Sequence, residues 1–439
     1  DYYERTLYNH ILSTQHPVHG GYVYFTPARP RHYKVYSAPN EGMWCCVGSG
    51  MENHGKYNEL IYTHGHDSLL VNLFIASKLK WKEKKISIIQ ETVFPYEESS
   101  RFVVTEGAAH FKLMLRYPSW VAEGAMKISI NGKPYTHDAH PSSYITINRS
   151  WKKGDVVTIK LPMHNSIERM PNVPDYIAIM HGPILMAAKT GTEDLKGLIA
   201  DAGRWAHIAS GERLPVDKAP IIVEDDLTNI TRGWVAVKNK PLSFTVPKLN
   251  FINPIPIVLE PFYQVHDSRY MMYWMSLNKT QYSHYIDSVA VLEKEKLALQ
   301  KRTIDFVAPG EQQPEADHSM QRSNSRSGNQ LDEFWRDAAS GGFFSYQLET
   351  HQENNLSLIV RYWGAEWGNR KFDIYIDDVK LVTEDNTGRW NQSKFINVEY
   401  AIPGAMLKDK DHVRVKFQAL PGNTAGAVYH IRLVRKKTD

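Results

Sequence analysis

The chain has two cysteines, and they are adjacent: Cys45 and Cys46, in the segment EGMWCCVGSGMENHGKYNELIY. A thiolate is both a nucleophile and a soft metal ligand, so such a pair suits covalent catalysis or Zn²⁺ binding. A disulfide between neighbours is strained, because consecutive Cα atoms sit about 3.8 Å apart and disulfides usually span about 4.4–6.8 Å. Buried structural thiols need no special explanation, since cysteine is among the most buried residue types. A tetrahedral metal site wants four donors, and Glu41, Glu52 and His54, though close in sequence, show no recognised ligand spacing. Spacing alone favours buried thiols over a metal or catalytic role. The nucleophile reading has its own basis: Cys46 falls a few residues before an expected helix, where Gly48 and Gly50 expose backbone N–H groups, and helix N-termini lower thiol pKa. A Cys–His hydrolase using His54 or His64 lacks an orienting third residue.

The elements that must position this pair follow from hydrophobic period. Tyr3, Leu7, Ile11 and Leu12 recur at helical spacing and His16-Pro17 with Gly20-Gly21 end that helix; a second helix is expected from Gly50 to Tyr62. Residues 1–66 thus read as two helices and a long loop, too little to bury a core alone. From Ser68 the period becomes two. Leu70, Asn72 and Phe74 begin a run of strands, Phe111, Leu113 and Leu115 alternate, and Asn131-Gly132 marks a hairpin. SYITINRSWKKGDVVTIKLPM reads as another hairpin-like unit with Val157, Ile159 and Leu161 on one face. Residues 67–190 are expected to form a β-sandwich, 191–290 an accessory β region, and 291–439 a C-terminal, jelly-roll-like β-sandwich with a hairpin at Asp377-Asp378. EKEKLALQKR reads as a short helix or linker and HSMQRSNSRSGNQ as an exposed loop.

Composition narrows the function. The 439 residues are 42% hydrophobic and 23% charged, ordinary for a globular protein of several domains. With 52 basic and 48 acidic side chains and no basic stripe, nucleic acid is not an expected partner. No apolar run is long enough to span a membrane, and two cysteines exclude a disulfide scaffold. The 11 Trp and 24 Tyr could offer sugar-stacking faces, although β-sandwich cores bury such rings too.

GGYVYFTPARP, MWCCVGSGMENHGKYNELIY and DSLLVNLFIAS resemble the end of the catalytic barrel of glycoside hydrolase family 127. FPYEE, RYPSWV and INGKPY resemble the β-sandwich that follows it, and LIADAGRWAHIASG, EPFYQVHDSRYMMYW and FWRDAASGGFFSY resemble the later regions of Bacteroidetes members. The resemblance implies a mainly β chain: the C-terminal end of an (α/α)6 barrel followed by β-sandwich domains. It implies a retaining hydrolase releasing β-L-arabinofuranose, or a related rare pentofuranose, from oligosaccharides of the plant cell wall. By position, Cys45 takes the role of nucleophile and Zn²⁺ ligand, and Cys46 that of Zn²⁺ ligand. The acid/base glutamate and two further zinc ligands are expected upstream of residue 1, so that this chain alone would hold an incomplete site. The missing barrel segment, as a separate chain, is one partner that could complete it. His19, Tyr22 and Tyr24 are candidates to line the sugar pocket, with packing of Tyr22 and Tyr24 against the second helix as the alternative. A periplasmic or secreted location goes with the resemblance. A non-catalytic carbohydrate-binding or structural β-sandwich protein is the competing reading.

Overall fold

The computed structural model describes residues 1–200, 203–331 and 333–437. Asp201 and Ala202, inside the LIADAGRWAHIASG segment, lie outside them. The chain is mostly strand, 44% against 17% helix, and divides into two compact units, Asp1–Glu293 and Lys294–Asp439.

The first unit opens with α1 (Tyr2–Thr6), a π-helical stretch Leu7–Ile11 and α2 (Leu12–Thr14), one continuous rod ended by Gln15 in extended conformation just before Pro17. Glu4, Leu7, Tyr8 and Ser13 are buried along it. The next helix, α3, spans Cys45–His54 rather than 50–62, and a separate 3₁₀ turn follows at Tyr57–Leu60. Glycines at 48 and 50 weaken the helical signal of its first turns. The cysteines therefore lie within the helix, as its first two residues.

Two sheets then pack as a sandwich. One has four strands in the order Ser143–Lys152, Ala108–Tyr117, Ser68–Val71, Tyr62–His64. The other has six and includes Ser99–Glu106, Val156–Lys160 and the hairpin Lys127–Ile130/Lys133–Tyr135. Their inner faces share one core containing Phe111, Leu113, Leu115, Val157 and Ile159. The hairpin turns on Asn131 and Gly132, both at positive φ (51° and 79°), the pairing that a type I′ turn demands.

Two expectations fail here. In Ser68–Val71 the buried residues are Leu69 and Val71, with Leu70 only half-buried. Apolar residues occupy both parities of that strand, so its alternation carries no phase. The 143–160 unit is not a hairpin: Ser143–Lys152 pairs in the four-stranded sheet and Val156–Lys160 in the six-stranded one. Gly154 at φ 90° and the buried Asp155, which accepts from Lys152 N at 2.9 Å and Asn131 Nδ2 at 2.8 Å, turn the corner between sheets.

Beyond residue 165 the unit continues in a ten-stranded sheet around the hairpin Val173–His181/Ile184–Gly191. A short strand, Ile199–Ala200, runs parallel to Tyr36–Ser37. EKEKLALQKR is the later part of α4 (Lys279–Arg302). In the second unit nine strands build one sheet around a core that includes Phe344, Tyr346, Leu358 and Phe417. The Asp377-Asp378 turn joins Lys371–Ile376 to Val379–Asp385. HSMQRSNSRSGNQ is not a loop, because Gln321–Gln330 is a strand paired with Glu333–Glu349. Its side chains are mostly exposed, and backbone pairing supplies an order that polar composition hides. No helix among the described residues is long and apolar enough to cross a membrane.

Candidate active site around the vicinal cysteines

The peptide 21–24 is held extended on both sides. Val23 N–H donates to Thr14 O at 2.8 Å, Tyr22 N–H to Ser37 Oγ at 3.0 Å, and Ser37 N–H to Tyr22 O at 2.8 Å. Extended backbone sends alternate side chains to opposite sides. Tyr22 and Tyr24 consequently share one face and form a small buried cluster with Val47 of α3. Val47, Gly50 and His54 make one stripe of that helix by their i, i+3, i+7 spacing. Tyr22 fits because residue 50 has no side chain: a Cβ there would lie 2.7 Å from Tyr22 Cδ1. The Tyr22 ring also lies 5.6 Å from the His54 ring. Tyr22 thus packs against α3.

Tyr24 reaches the cysteines. Its hydroxyl is 3.2 Å from Cys45 Sγ. Cys45 and Cys46 are exposed reduced thiols with their sulfurs 4.0 Å apart. That overturns the expectation of buried thiols: residue-type averages favour burial, whereas the first turn of α3 lifts both side chains to the surface. It also removes the strained disulfide. Side chains in a first turn lean toward the helix N-terminus, so both sulfurs sit in the positive end of the helix dipole, which favours thiolate. Trp44, the residue before the helix, offers no side-chain cap.

The separation suits two thiolates on one tetrahedral zinc, for which Zn–S bonds of about 2.3 Å put the sulfurs about 3.8 Å apart. Among the described residues no group of three or more His, Cys, Asp or Glu is placed to hold a metal ion. The pair fits as two donors and does not complete a four-donor site. Glu52 is exposed and pairs with Lys56 at 2.8 Å, and Glu41 is exposed. His54 ends α3, nine residues along a helix that rises about 1.5 Å per residue; its Nδ1 meets Tyr57 Oη at 2.5 Å, and burial lowers its pKa. It is too far along the helix to form a dyad with Cys45.

His19 packs against His16 and Tyr36. It stacks on His16 with centroids 3.7 Å apart and accepts from Gly21 N–H at 3.1 Å. Burial and the neighbouring His16 lower its pKa. His16 in turn contacts Asp267 at 2.8 Å. Residues absent from the sequence reading complete the surroundings of Tyr24. Phe25 meets its ring edge-on at 4.5 Å, and His207 lies 5.7 Å away, its Nδ1 3.1 Å from Gly203 O. No local pattern could link Tyr24 to His207, so far away in sequence.

Family models match in four consecutive stretches. Residues 1–59 match the GH127 catalytic domain of β-L-arabinofuranosidases and residues 68–163 the GH127 middle domain. Residues 166–276 match a domain of unknown function, DUF4986, and residues 298–434 a family of unknown function, DUF6805. No curated protein matches the chain. Similar solved structures include a glycoside hydrolase (20% identity over 62% of this chain and 48% of the other, TM-score 0.45). A GH127 β-arabinofuranosidase is 23% identical over 62% of this chain and 45% of its own, TM-score 0.44. The GH127 β-L-arabinofuranosidase of Geobacillus stearothermophilus T6 is 19% identical over 63% and 45%, TM-score 0.42. The chain spans about half the length of each. The cysteine helix falls inside the catalytic-domain match and the sandwich inside the middle-domain match, so over residues 1–59 and 68–163 the chain is similar to GH127 proteins.

Proposed function

We propose that this chain is part of a retaining glycoside hydrolase that releases β-L-arabinofuranose, or a related rare pentofuranose, from plant cell-wall glycans, with Cys45 as its nucleophile. The observation that carries the reading is the placement of Cys45: exposed, in the first turn of a helix, with the Tyr24 hydroxyl 3.2 Å from its sulfur, inside the segment matched to the GH127 catalytic domain. Exposure gives a substrate access. The helix terminus and a phenol able to donate both favour the thiolate, which is the attacking form.

In the first step the Cys45 thiolate forms an S–C1 bond as the glycosidic C1–O bond breaks and the leaving oxygen takes up a proton. In the second, water gives up a proton and attacks C1, and the thiolate leaves. Two inversions at C1 give net retention. No residue of this chain is assigned as the acid/base that handles those protons. Cys46, the other exposed sulfur of the first turn, would serve with Cys45 as a Zn²⁺ ligand, and zinc when bound holds such sulfurs deprotonated.

The test uses the full-length gene product and an aryl β-L-arabinofuranoside. Release of arabinose by the wild type and its loss in Cys45→Ala, with folding preserved by circular dichroism, support the reading. Unchanged turnover in Cys45→Ala ends it. Retardation on pectic glycans by a wild type that hydrolyses none of them would favour a non-catalytic carbohydrate-binding protein instead.

A further inference from the structure

The region after the middle domain, matched to a domain of unknown function, reaches back to the cysteine loop. Ile199 and Ala200 pair with Tyr36 and Ser37, and Tyr36 N–H donates to Leu198 O at 2.9 Å. Ala200 and Ala209 share a buried cluster with Tyr33 and Val35. Both ends of the intervening segment are therefore anchored on the chain that leads into the cysteine helix.

Between the anchors, the 3₁₀ turn Arg204–His207 delivers two side chains to the Tyr24 neighbourhood. His207 is 1% exposed and packs against Tyr24. Trp205 lies nearly parallel to Phe25, with 11° between planes and centroids 6.5 Å apart. These two rings are 41% and 37% exposed, although large aromatics are highly buried on average. Phe25 meets Tyr24 edge-on at 4.5 Å, and the Tyr24 hydroxyl meets Cys45 Sγ. An apolar, partly exposed aromatic pair thus stands one ring beyond the residue that touches the thiol.

We propose that Trp205 and Phe25 form the stacking face for the leaving-group ring of the glycoside, the sugar attached through the bond that Cys45 attacks. The sugar losing its linkage must contact Cys45 itself, beside Tyr24, and the next ring outward meets Phe25 and Trp205. Apolar C–H faces of a sugar match aromatic faces. The domain of unknown function then has a role: it supplies half of the subsite that selects what the pentofuranose is attached to. This inference rests on the reading of Cys45 as nucleophile.

The experiment compares a β-L-arabinofuranosyl disaccharide with methyl β-L-arabinofuranoside, using the full-length gene product, Trp205→Ala and Trp205→Phe. The preference in kcat/KM for the disaccharide over the methyl glycoside falls roughly tenfold in Trp205→Ala and is largely kept in Trp205→Phe. An unchanged preference overturns the proposal, as does an equal loss on both substrates. A wild type that hydrolyses neither glycoside refutes the nucleophile reading rather than the stacking face. The face is then read from calorimetric titration of the disaccharide: affinity weakened in Trp205→Ala supports it, and equal affinity, or none in the wild type, overturns it.

Discussion

Removing the Tyr24 hydroxyl probes the thiol environment without substrate. In Tyr24→Phe the ring keeps its packing against Phe25 and His207, and the hydroxyl 3.2 Å from Cys45 Sγ is lost. A hydrogen bond to a charged partner contributes about 1.5–3 kcal/mol. Cys45 is exposed, so solvent screens the interaction and the lower end applies, about 1.5 kcal/mol, or roughly one pH unit. The assay is the rate of iodoacetamide alkylation of Cys45 across pH, in a Cys46→Ser background, on this chain. The pH of half-maximal rate should rise by about one unit in Tyr24→Phe. No shift, or a shift to lower pH, refutes the claim that Tyr24 favours the thiolate.

Gly50→Ala gains about 1 kcal/mol of helix propensity but puts a Cβ 2.7 Å from Tyr22 Cδ1. Overpacking should win and destabilise the first unit by about 1–2 kcal/mol; a higher denaturation midpoint contradicts this. Lys34 is buried, donates to Ser13 O at 2.9 Å and Val265 O at 3.0 Å, and burial, aided by Lys189, lowers its pKa to about 7. The unfolded chain binds its proton up to about pH 10.4, so stability of the wild type relative to Lys34→Met should rise with pH between about 7 and 10 and level off outside that window; a flat difference refutes it. In the second unit Glu315 accepts from Arg336 Nη2 at 2.7 Å and from Tyr346 Oη at 2.7 Å, with both charged side chains buried. Glu315→Gln leaves the Arg336 charge uncompensated and should cost about 3–5 kcal/mol in chemical denaturation. A loss below about 1 kcal/mol, the range of a surface pair, contradicts that.

Much of the sandwich was legible because its strands obey period two with one parity apolar, as at Phe111, Leu113 and Leu115, and because Asn131-Gly132 leaves little choice of turn. Legibility failed where the local signal was degenerate. Leu69, Leu70 and Val71 fill both parities, so the phase of that strand is set by tertiary packing. The polar strand 321–330 is held by its ladder, which side-chain pattern does not report. At the site, the cysteine pair and Tyr24 were visible as residues, but the exposure of the sulfurs depends on where α3 starts. Gly48 and Gly50 obscured that start; Gly50 is there for the close approach of Tyr22, a contact between distant positions. Trp205 and His207 were beyond any local reading, since nothing in their segment refers to Tyr24 or Phe25.

The central claim is that the Cys45 sulfur forms the covalent glycosyl bond. Acid quenching of the full-length gene product during turnover of an aryl β-L-arabinofuranoside, followed by peptide mass spectrometry, tests it most directly. One pentosyl unit should be found on the peptide containing Cys45, mapped to that residue by fragmentation and absent from Cys45→Ala. A pentosyl unit on a carboxylate, or its persistence in Cys45→Ala, would contradict the account.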